Sequence, residues 1–477
     1  MSAGFRTFNP RKNSWNPEVY FPTSEDDCAF LLDSLSSGQS FYGKESPAKR
    51  AEFLRVIAVK INSNKEGIKH LYLSESGLSE SRFESEWNRT IQTIELFANY
   101  LSTDYLAEKV QHFPSESLQI SKRKYPIGPV LVLGSSNFPL AYSTGGGDTI
   151  SALSAGCCVV VKAHPMHVGT STAVANCILE AVKQVAYPDG IFTHLIDDGH
   201  QLAQNLCLDE RIQAVGFTGS FKGGKAFMDL VLKRKNPIPV FAEMGSANPV
   251  IIHDDLSKFE QVDYATKLAF SITNDAGQFC TKPGIIFVPN GEAGEGFLDE
   301  LKHAISSVKP LPMLHPRILQ NFESRRNQIR SIEGVKTFLC ETETKGIEGK
   351  WCLAETTLKD FNAHKTMQEE VFGPFALVVK YERAHELNEC LSLFSGQLTG
   401  SIFYHNQDSK VEEWIELLSA KVGRIVLNGV PTGVRVLETM HHGGPYPASS
   451  DVRFTAVGQD SIQRFQKDVT IQVQNIT

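Results

Sequence analysis

From Val130 onward the chain alternates short apolar runs with helical stretches, and this alternation limits the fold more than any other feature. Val130-Leu131-Val132-Leu133 ends in Gly134-Ser135-Ser136. Val159-Val160-Val161, Gly190-Ile191-Phe192, Ala214-Val215-Gly216-Phe217 and Pro239-Val240-Phe241-Ala242 follow, with helix-like sequence between them from about Thr149 and from about Thr170 to Val185. Apolar runs of this length, without polar alternation, read as strands buried on both faces. The helices between them are the crossovers that parallel pairing needs. A second block repeats the pattern with Ile285-Ile286-Phe287-Val288, Ala376-Leu377-Val378-Val379 and Gly400-Ser401-Ile402-Phe403. The predicted class is α/β, with two parallel-sheet units, as a chain of 477 residues is too long for one ordinary core.

The first third reads as helical. Ser46-Pro47 offers an N-cap with proline at the first helical position, and Leu54, Ile57, Ala58 and Ile61 follow at helical spacing. A second helix is expected from about Glu84 to Leu101, with Trp87, Ile91, Ile94 and Ala98 on its apolar side. Two segments alternate in polarity instead, Leu118-Gln119-Ile120-Ser121 and Val469-Thr470-Ile471-Gln472-Val473. Each would be an open strand edge if unpaired.

The net charge of −7, with no basic run of five or more residues, points away from a nucleic-acid partner. Lys233-Arg234-Lys235 reads as a helix end or turn. No apolar stretch reaches the ~20 residues of a membrane span, and the start lacks a signal-type apolar core, so no membrane association and a cytoplasmic location are expected. Nine cysteines with no CxxC pair or Cys/His cluster speak against disulfides and a metal site. Cys157 and Cys158 are expected to be small buried residues.

Five segments can carry chemistry. Cys280 lies on a glycine-flanked stretch, Asn274-Asp275-Ala276-Gly277-Gln278-Phe279-Cys280, which suits a thiolate nucleophile at a turn and suits a structural cysteine as well. Glu243 ends an apolar strand, where a carboxylate serves as a general base, a cap or an ion-pair partner. Asn137, after the Val130–Leu133 run, can donate its amide to a developing oxyanion or simply make a turn. Phe217-Thr218-Gly219-Ser220 with Gly223-Gly224 sits between a strand and a helix, where glycines let backbone approach a pyrophosphate. Its spacing is not GxGxxG. Glu369-Glu370-Val371-Phe372-Gly373-Pro374 offers a carboxylate for ribose hydroxyls and an aromatic ring for a nicotinamide, or else an ordinary helix end.

Together, and in this order and separation, the five segments resemble the aldehyde dehydrogenase superfamily over nearly the whole chain. The resemblance implies two Rossmann-like α/β domains plus a small β oligomerisation segment. Residues 1–112 and 128–244 would form the NAD(P)-binding domain, 245–450 the catalytic domain, and 113–127 with 451–477 the bridging segments. It implies Cys280 as nucleophile, Asn137 as oxyanion donor and Glu243 as the base for deacylation. Lys162, Gly219, Ser220, Gly224, Glu370 and Phe372 would be the NAD or NADP contacts, with no metal. It also implies a homo-oligomer.

Lys162 leads into Ala163-His164-Pro165-Met166-His167, and the C-terminal part carries His442-Gly443-Gly444-Pro445-Tyr446-Pro447. These stretches resemble the 2-oxoglutarate semialdehyde (2,5-dioxopentanoate) dehydrogenases and, more broadly, NADP-dependent fatty aldehyde dehydrogenases. In many NAD-preferring relatives a glutamate stands where this chain has Pro165, so NADP⁺ is expected to serve at least as well as NAD⁺, with Thr170, Ser171 or Lys222 helping to hold a phosphate. An anionic substrate would call for a cation, with Arg89 and Arg435 as candidates. A cysteine hydrolase or acyltransferase that uses no nucleotide would need a histidine partner, and none lies near Cys280 in sequence. His441 and His442 carry no assigned role.

Overall fold

The computed structural model describes residues 3–103, 110–115 and 118–474. Four helices open the chain: α1 (Glu25–Tyr42), α2 (Pro47–Ser63), α3 (Lys65–Ser76) and α4 (Glu80–Leu101). Ser46 caps α2 by accepting from the Lys49 amide, with Pro47 in the first turn, and Leu54, Ile57, Ala58 and Ile61 are buried as their spacing predicts. Helix α4 starts a turn earlier than its periodicity suggests, behind the N-cap Ser79, and buries Phe83 in that extra turn. Helix α1 is masked in the sequence by Ser36-Ser37-Gly38. Gly38 is there for close approach, since a Cβ on it would stand 2.8 Å from the Gly190 carbonyl carbon.

Two strands, β1 (Val110–Ser115) and β2 (Leu118–Pro126), precede the first parallel sheet. That sheet contains β3 (Val130–Leu133), β4 (Val159–Lys162), β5 (Phe192–Leu195), β6 (Ala214–Thr218) and β7 (Val240–Glu243), in the order β5-β4-β3-β6-β7. Its helices are α5 (Gly147–Ala155), α6 (Val168–Gln184), α7 (Gln201–Leu208) and α8 (Phe221–Val231). All its pairings are parallel, and β3 and β4 are buried at every residue, as both faces are covered by helices. Cys157 and Cys158 are fully buried beside β4.

The second sheet has seven strands: β8 (Pro249–Ile252), β9 (Ile285–Pro289), β10 (Lys336–Leu339), β11 (Cys352–Thr357), β12 (Phe375–Tyr381), β13 (Gln397–Phe403) and β14 (Val422–Leu427). Their order is β10-β11-β12-β9-β8-β13-β14, and only the edge strand β10 pairs antiparallel. Helix α9 (Lys258–Thr273) connects β8 towards β9 and opens with a Ser257/Glu260 capping box.

The two alternating segments pair with each other, which closes one edge of each and leaves the outer edge of the tail strand open. The tail strand β15 (Gln466–Gln474) pairs antiparallel with β2 along its whole length, from Gln466 opposite Pro126 to Gln474 opposite Leu118. β1 adds a third strand on the other side of β2.

Candidate active site

Two sheet edges meet at one place. Only residues 244–248 separate β7 from β8, so the carboxyl ends of the five-stranded sheet face the amino ends of the seven-stranded one. Asn137, Lys162, Gly219 and Glu243 sit at or just beyond the former, while Asn248, Cys280, Glu370 and Gln397 sit at or just before the latter. Backbone bonds join the edges: the Gly219 amide donates to Glu243 O at 3.1 Å and the Gly284 amide to Ala247 O at 2.8 Å.

Cys280 is presented by a loop that the backbone would not adopt unaided. Asp275, Ala276 and Gly277 are consecutive left-handed residues, with φ of 46°, 55° and 64°. Non-glycine residues in this region cost on the order of 1–3 kcal/mol each, so surrounding contacts must hold them. Asp275 pairs with Arg82 at 3.3 Å. The Gln278 side chain donates to Asp275 O at 2.9 Å and accepts from the Leu314 amide at 2.9 Å. Asn248, itself left-handed, donates its amide to both Cys280 O at 2.8 Å and Lys282 O at 2.9 Å. Ser246 and Gln397 lock Asn248 in turn. Arg82, Asn248 and Gln397 carry no local sequence signal for these roles, since their partners are distant in the chain.

Glu243 ends β7 opposite Thr218 and makes an isolated bridge to Ser449. Its carboxylate is buried, and among the described residues neither oxygen has a hydrogen-bond partner. One oxygen lies 3.2 Å from His442 Nε2, which in turn stands 3.7 Å from Cys280 Sγ. The histidine that the sequence near Cys280 lacks is thus supplied by a segment 162 residues away. Although the sequence shows no metal-ligand cluster, Glu243, Cys280 and His442 bring one donor atom each to within 4.8 Å of one another. Burial above all, then the Glu243 and Glu370 carboxylates, push the Cys280 thiol well above its ordinary range.

Asn137 reaches the cysteine loop, its side-chain amide donating to Gln278 O at 2.9 Å, two residues before Cys280. The segment that carries it is held by the buried Glu86, which accepts from the amides of Leu140 (2.8 Å) and Ala141 (2.9 Å) and from Tyr72 Oη (2.7 Å). Arg82 joins the two by bonding Asn137 O at 3.2 Å while pairing with Asp275.

Of the expected cofactor residues, Lys162, Gly219, Ser220 and Gly224 lie at the carboxyl edge of the five-stranded sheet, where open α/β sheets bind nucleotides, whereas Glu370 and Phe372 lie just before β12 of the other sheet. Lys162 is buried and donates to Gly199 O at 3.1 Å. Burial lowers its pKa, against the pull of Asp197 and Asp198. Ser220 caps α8. Gly224 is needed for packing, since a Cβ there would stand 2.6 Å from Met244 Sδ. A Cβ on Gly245 would overlap Glu370 Oε2. Glu370 is raised by burial and opposed by the buried Lys282, whose Nζ donates to Phe375 O at 2.6 Å. Phe372 is half-buried beside it.

Two expectations about polar partners need correction. Thr170 and Ser171 cannot hold a phosphate: Thr170 Oγ1 donates to the buried Glu75 at 2.7 Å, and Ser171 Oγ is engaged by Thr144 and His194. Lys222 is exposed at the start of α8. Arg435 is exposed, whereas Arg89 is half-buried and bonds Val434 O (2.8 Å) and Tyr142 Oη (2.7 Å).

Comparison with known proteins agrees with this architecture. The aldehyde dehydrogenase family model matches residues 4–466. The chain is 34% identical to an alpha-ketoglutaric semialdehyde dehydrogenase 2 of Azospirillum brasilense, over 99% of this chain and 92% of that one. It is also 34% identical to an alpha-ketoglutaric semialdehyde dehydrogenase of Acinetobacter baylyi, over 97% and 91%. Among solved structures, a Thermus 1-pyrroline-5-carboxylate dehydrogenase with bound NAD superposes with a TM-score of 0.84 at 18% identity, covering 99% of this chain and 90% of that one. A glyceraldehyde-3-phosphate dehydrogenase of Methanocaldococcus jannaschii complexed with NADP gives 0.83 at 19%, covering 99% and 100%. The chain belongs to the aldehyde dehydrogenase family and is an NAD(P)-dependent aldehyde dehydrogenase.

Proposed function

We propose that the enzyme oxidises a short anionic semialdehyde, 2,5-dioxopentanoate, to 2-oxoglutarate through a thioester on Cys280. The observation that carries the choice of substrate is a pair of guanidinium groups beside the nucleophile, Arg89 and Arg424. Arg89 bonds Tyr142, whose ring lies 6.1 Å from that of His442. Arg424 follows Gly423, a glycine packed on Gly443 and His441, and it bonds Pro431 O. The Arg424 Nε is buried without a partner, and among the described residues neither arginine pairs with a carboxylate. A substrate carboxylate would supply the missing counter-charge. The names of the two relatives at 34% identity support the same substrate.

In this reading Cys280 Sγ adds to the aldehyde carbon, and the oxyanion that forms is met by the Asn137 amide and the Cys280 backbone N–H. His442 is placed to receive the thiol proton. Bound NAD(P)⁺ supplies the hydride acceptor, held by Lys162, Gly219, Ser220, Gly224 and Glu370 with Phe372 packing beside it. Glu243 then takes a proton from the water that hydrolyses the Cys280 thioester. Residues 1–112 and 128–244 would hold the cofactor, 245–450 would supply the nucleophile, and 113–127 with 451–477 would bridge subunits. NADP⁺ serves at least as well as NAD⁺, with Lys222 near a 2′-phosphate and Asp197 and Asp198 tempering the preference.

A second reading, a fatty aldehyde substrate, draws on the apolar cluster beside Cys280 that contains Phe138, Tyr142, Phe279, Val434 and Met440. Arg424→Met separates the two. For the semialdehyde, kcat/KM should fall roughly 10–100-fold, the worth of a hydrogen bond to a charged group, while decanal is unaffected. A wild-type preference for decanal, untouched by the substitution, would favour the fatty aldehyde.

The same proposal includes a homo-oligomer, a homodimer or a tetramer of paired dimers. Helix α9 exposes Phe259, Val262 and Phe270 along one side, and β15 presents an outer edge with Val469 and Val473 exposed. A monomer by light scattering at micromolar concentration would contradict it.

A further inference from the structure

We propose that Cys280, His442 and Glu243 form a binding site for one borderline-soft divalent cation of the Zn²⁺ type, and that its occupation reversibly silences the enzyme. The argument starts from spacing. Zn²⁺ binds thiolate at about 2.3 Å and imidazole or carboxylate at about 2.0–2.2 Å, so a tetrahedral site has S···N and N···O edges of roughly 3.3–3.6 Å. Here Cys280 Sγ and His442 Nε2 are 3.7 Å apart, His442 Nε2 and Glu243 Oε2 are 3.2 Å apart, and all three donor atoms lie within 4.8 Å. Little movement separates this arrangement from a coordination shell.

A second observation concerns the other two donors. Glu243 is 5% exposed, and neither carboxylate oxygen makes a well-formed hydrogen bond among the described residues, the His442 imidazole at 3.2 Å being the neighbour of Oε2. His442 is 2% exposed. A dication would satisfy the carboxylate and the imidazole at once. The ligands are also held from behind. Asn248 pins the Cys280 carbonyl, β7 pairing and the Ser449 bridge fix Glu243, and the His442 amide donates to Thr455 Oγ1 at 2.9 Å. One sulfur, one nitrogen and one carboxylate suit Zn²⁺, Co²⁺ or Cd²⁺ and not Mg²⁺ or Ca²⁺, which need oxygen cages. Binding replaces the thiol proton, which leaves to solvent. The sulfur lone pair is then engaged and cannot attack a carbonyl. The site itself depends on geometry alone, whereas the silencing rests on the reading of Cys280 as nucleophile.

Co²⁺ added to the purified full-length chain tests the site without any turnover. One Co²⁺ per chain should give tetrahedral visible bands and a thiolate-to-metal charge-transfer band. Prior alkylation of Cys280 by iodoacetamide should abolish that band, and Zn²⁺ should displace the cobalt. His442→Asn should weaken Zn²⁺ by more than the roughly 10–100-fold that loss of an outer-shell partner costs. Zn²⁺ should inhibit wild-type turnover, and a chelator should restore it. Turnover that depends on Cys280 but no thiolate band at saturating Co²⁺ would overturn the site, as would Zn²⁺ binding to a folded His442→Asn within about threefold of wild type. A full band with undiminished turnover would overturn the silencing, and with it the nucleophile assignment.

Discussion

The two sheet edges that meet at the candidate active site are built by different means. At the carboxyl edge of the five-stranded sheet, strands end and short loops lead into helices, so a functional residue sits within a few positions of an apolar run. Asn137 follows β3, Lys162 ends β4, Gly219 follows β6 and Glu243 ends β7. At the amino edge of the seven-stranded sheet, chain arrives from long excursions, and the functional geometry depends on cross-chain ties. Cys280 is set by Asn248, Gln278 and Arg82, and Glu370 by Lys282 and the bare backbone of Gly245. The first edge carries its positions in local sequence, whereas the second acquires them only when distant segments pack.

Substitutions on the two edges sharpen this contrast. Cys280→Ala should have the largest effect, lowering aldehyde oxidation by roughly 10⁴-fold or more while leaving cofactor affinity, measured by fluorescence titration, nearly intact. Near-normal turnover would remove the amino edge from the chemistry. On the other edge, Glu243→Gln should slow deacylation by roughly 10²–10⁴-fold and leave acylation less affected. Single-turnover kinetics should then show a burst of NAD(P)H followed by a slow phase, and a deacylation step that is not rate-limiting would refute the role. Asn137→Ala should slow acylation by roughly 10²–10³-fold, and an unchanged acylation rate would leave the amide as a mere loop tether.

A smaller effect concerns pH. Burial raises the Glu370 carboxyl, and Lys282 opposes that rise. Only the carboxylate accepts from two ribose hydroxyls, so cofactor affinity should already fall as pH drops through the raised range above the usual carboxylate values, by at most about tenfold per unit. Glu370→Gln should bind weakly at every pH. A wild-type profile that is flat down to the ordinary carboxylate range would break the assignment. The smallest effect is expected at Asp197 and Asp198, the carboxylates nearest Lys162. Neutralising both to asparagine should raise the NADP⁺ to NAD⁺ ratio of kcat/KM a few-fold, up to about tenfold or 1.4 kcal/mol. A wild-type preference for NAD⁺ of tenfold or more would place an undetected carboxylate at the 2′ position.

Apolar runs and their spacing were enough to place β3, β4, β6, β9, β12 and β13 and the helices α2, α4 and α6 within a few residues, because each buries its own periodic pattern. The strand-end position of Glu243 and that of Asn137 just beyond β3 were legible for the same local reason, whereas Cys280 stood out only by its glycine-flanked motif. Tertiary structure alone decided the rest. It brought His442 to Cys280 across 162 residues, spent the Thr170 hydroxyl on Glu75, left Arg435 in solvent and Arg424 beside the site, and paired the tail strand with β2. A side chain's partner depends on which distant backbone the packing delivers to it. The pattern of hydrophobicity along the chain encodes burial and leaves that pairing open.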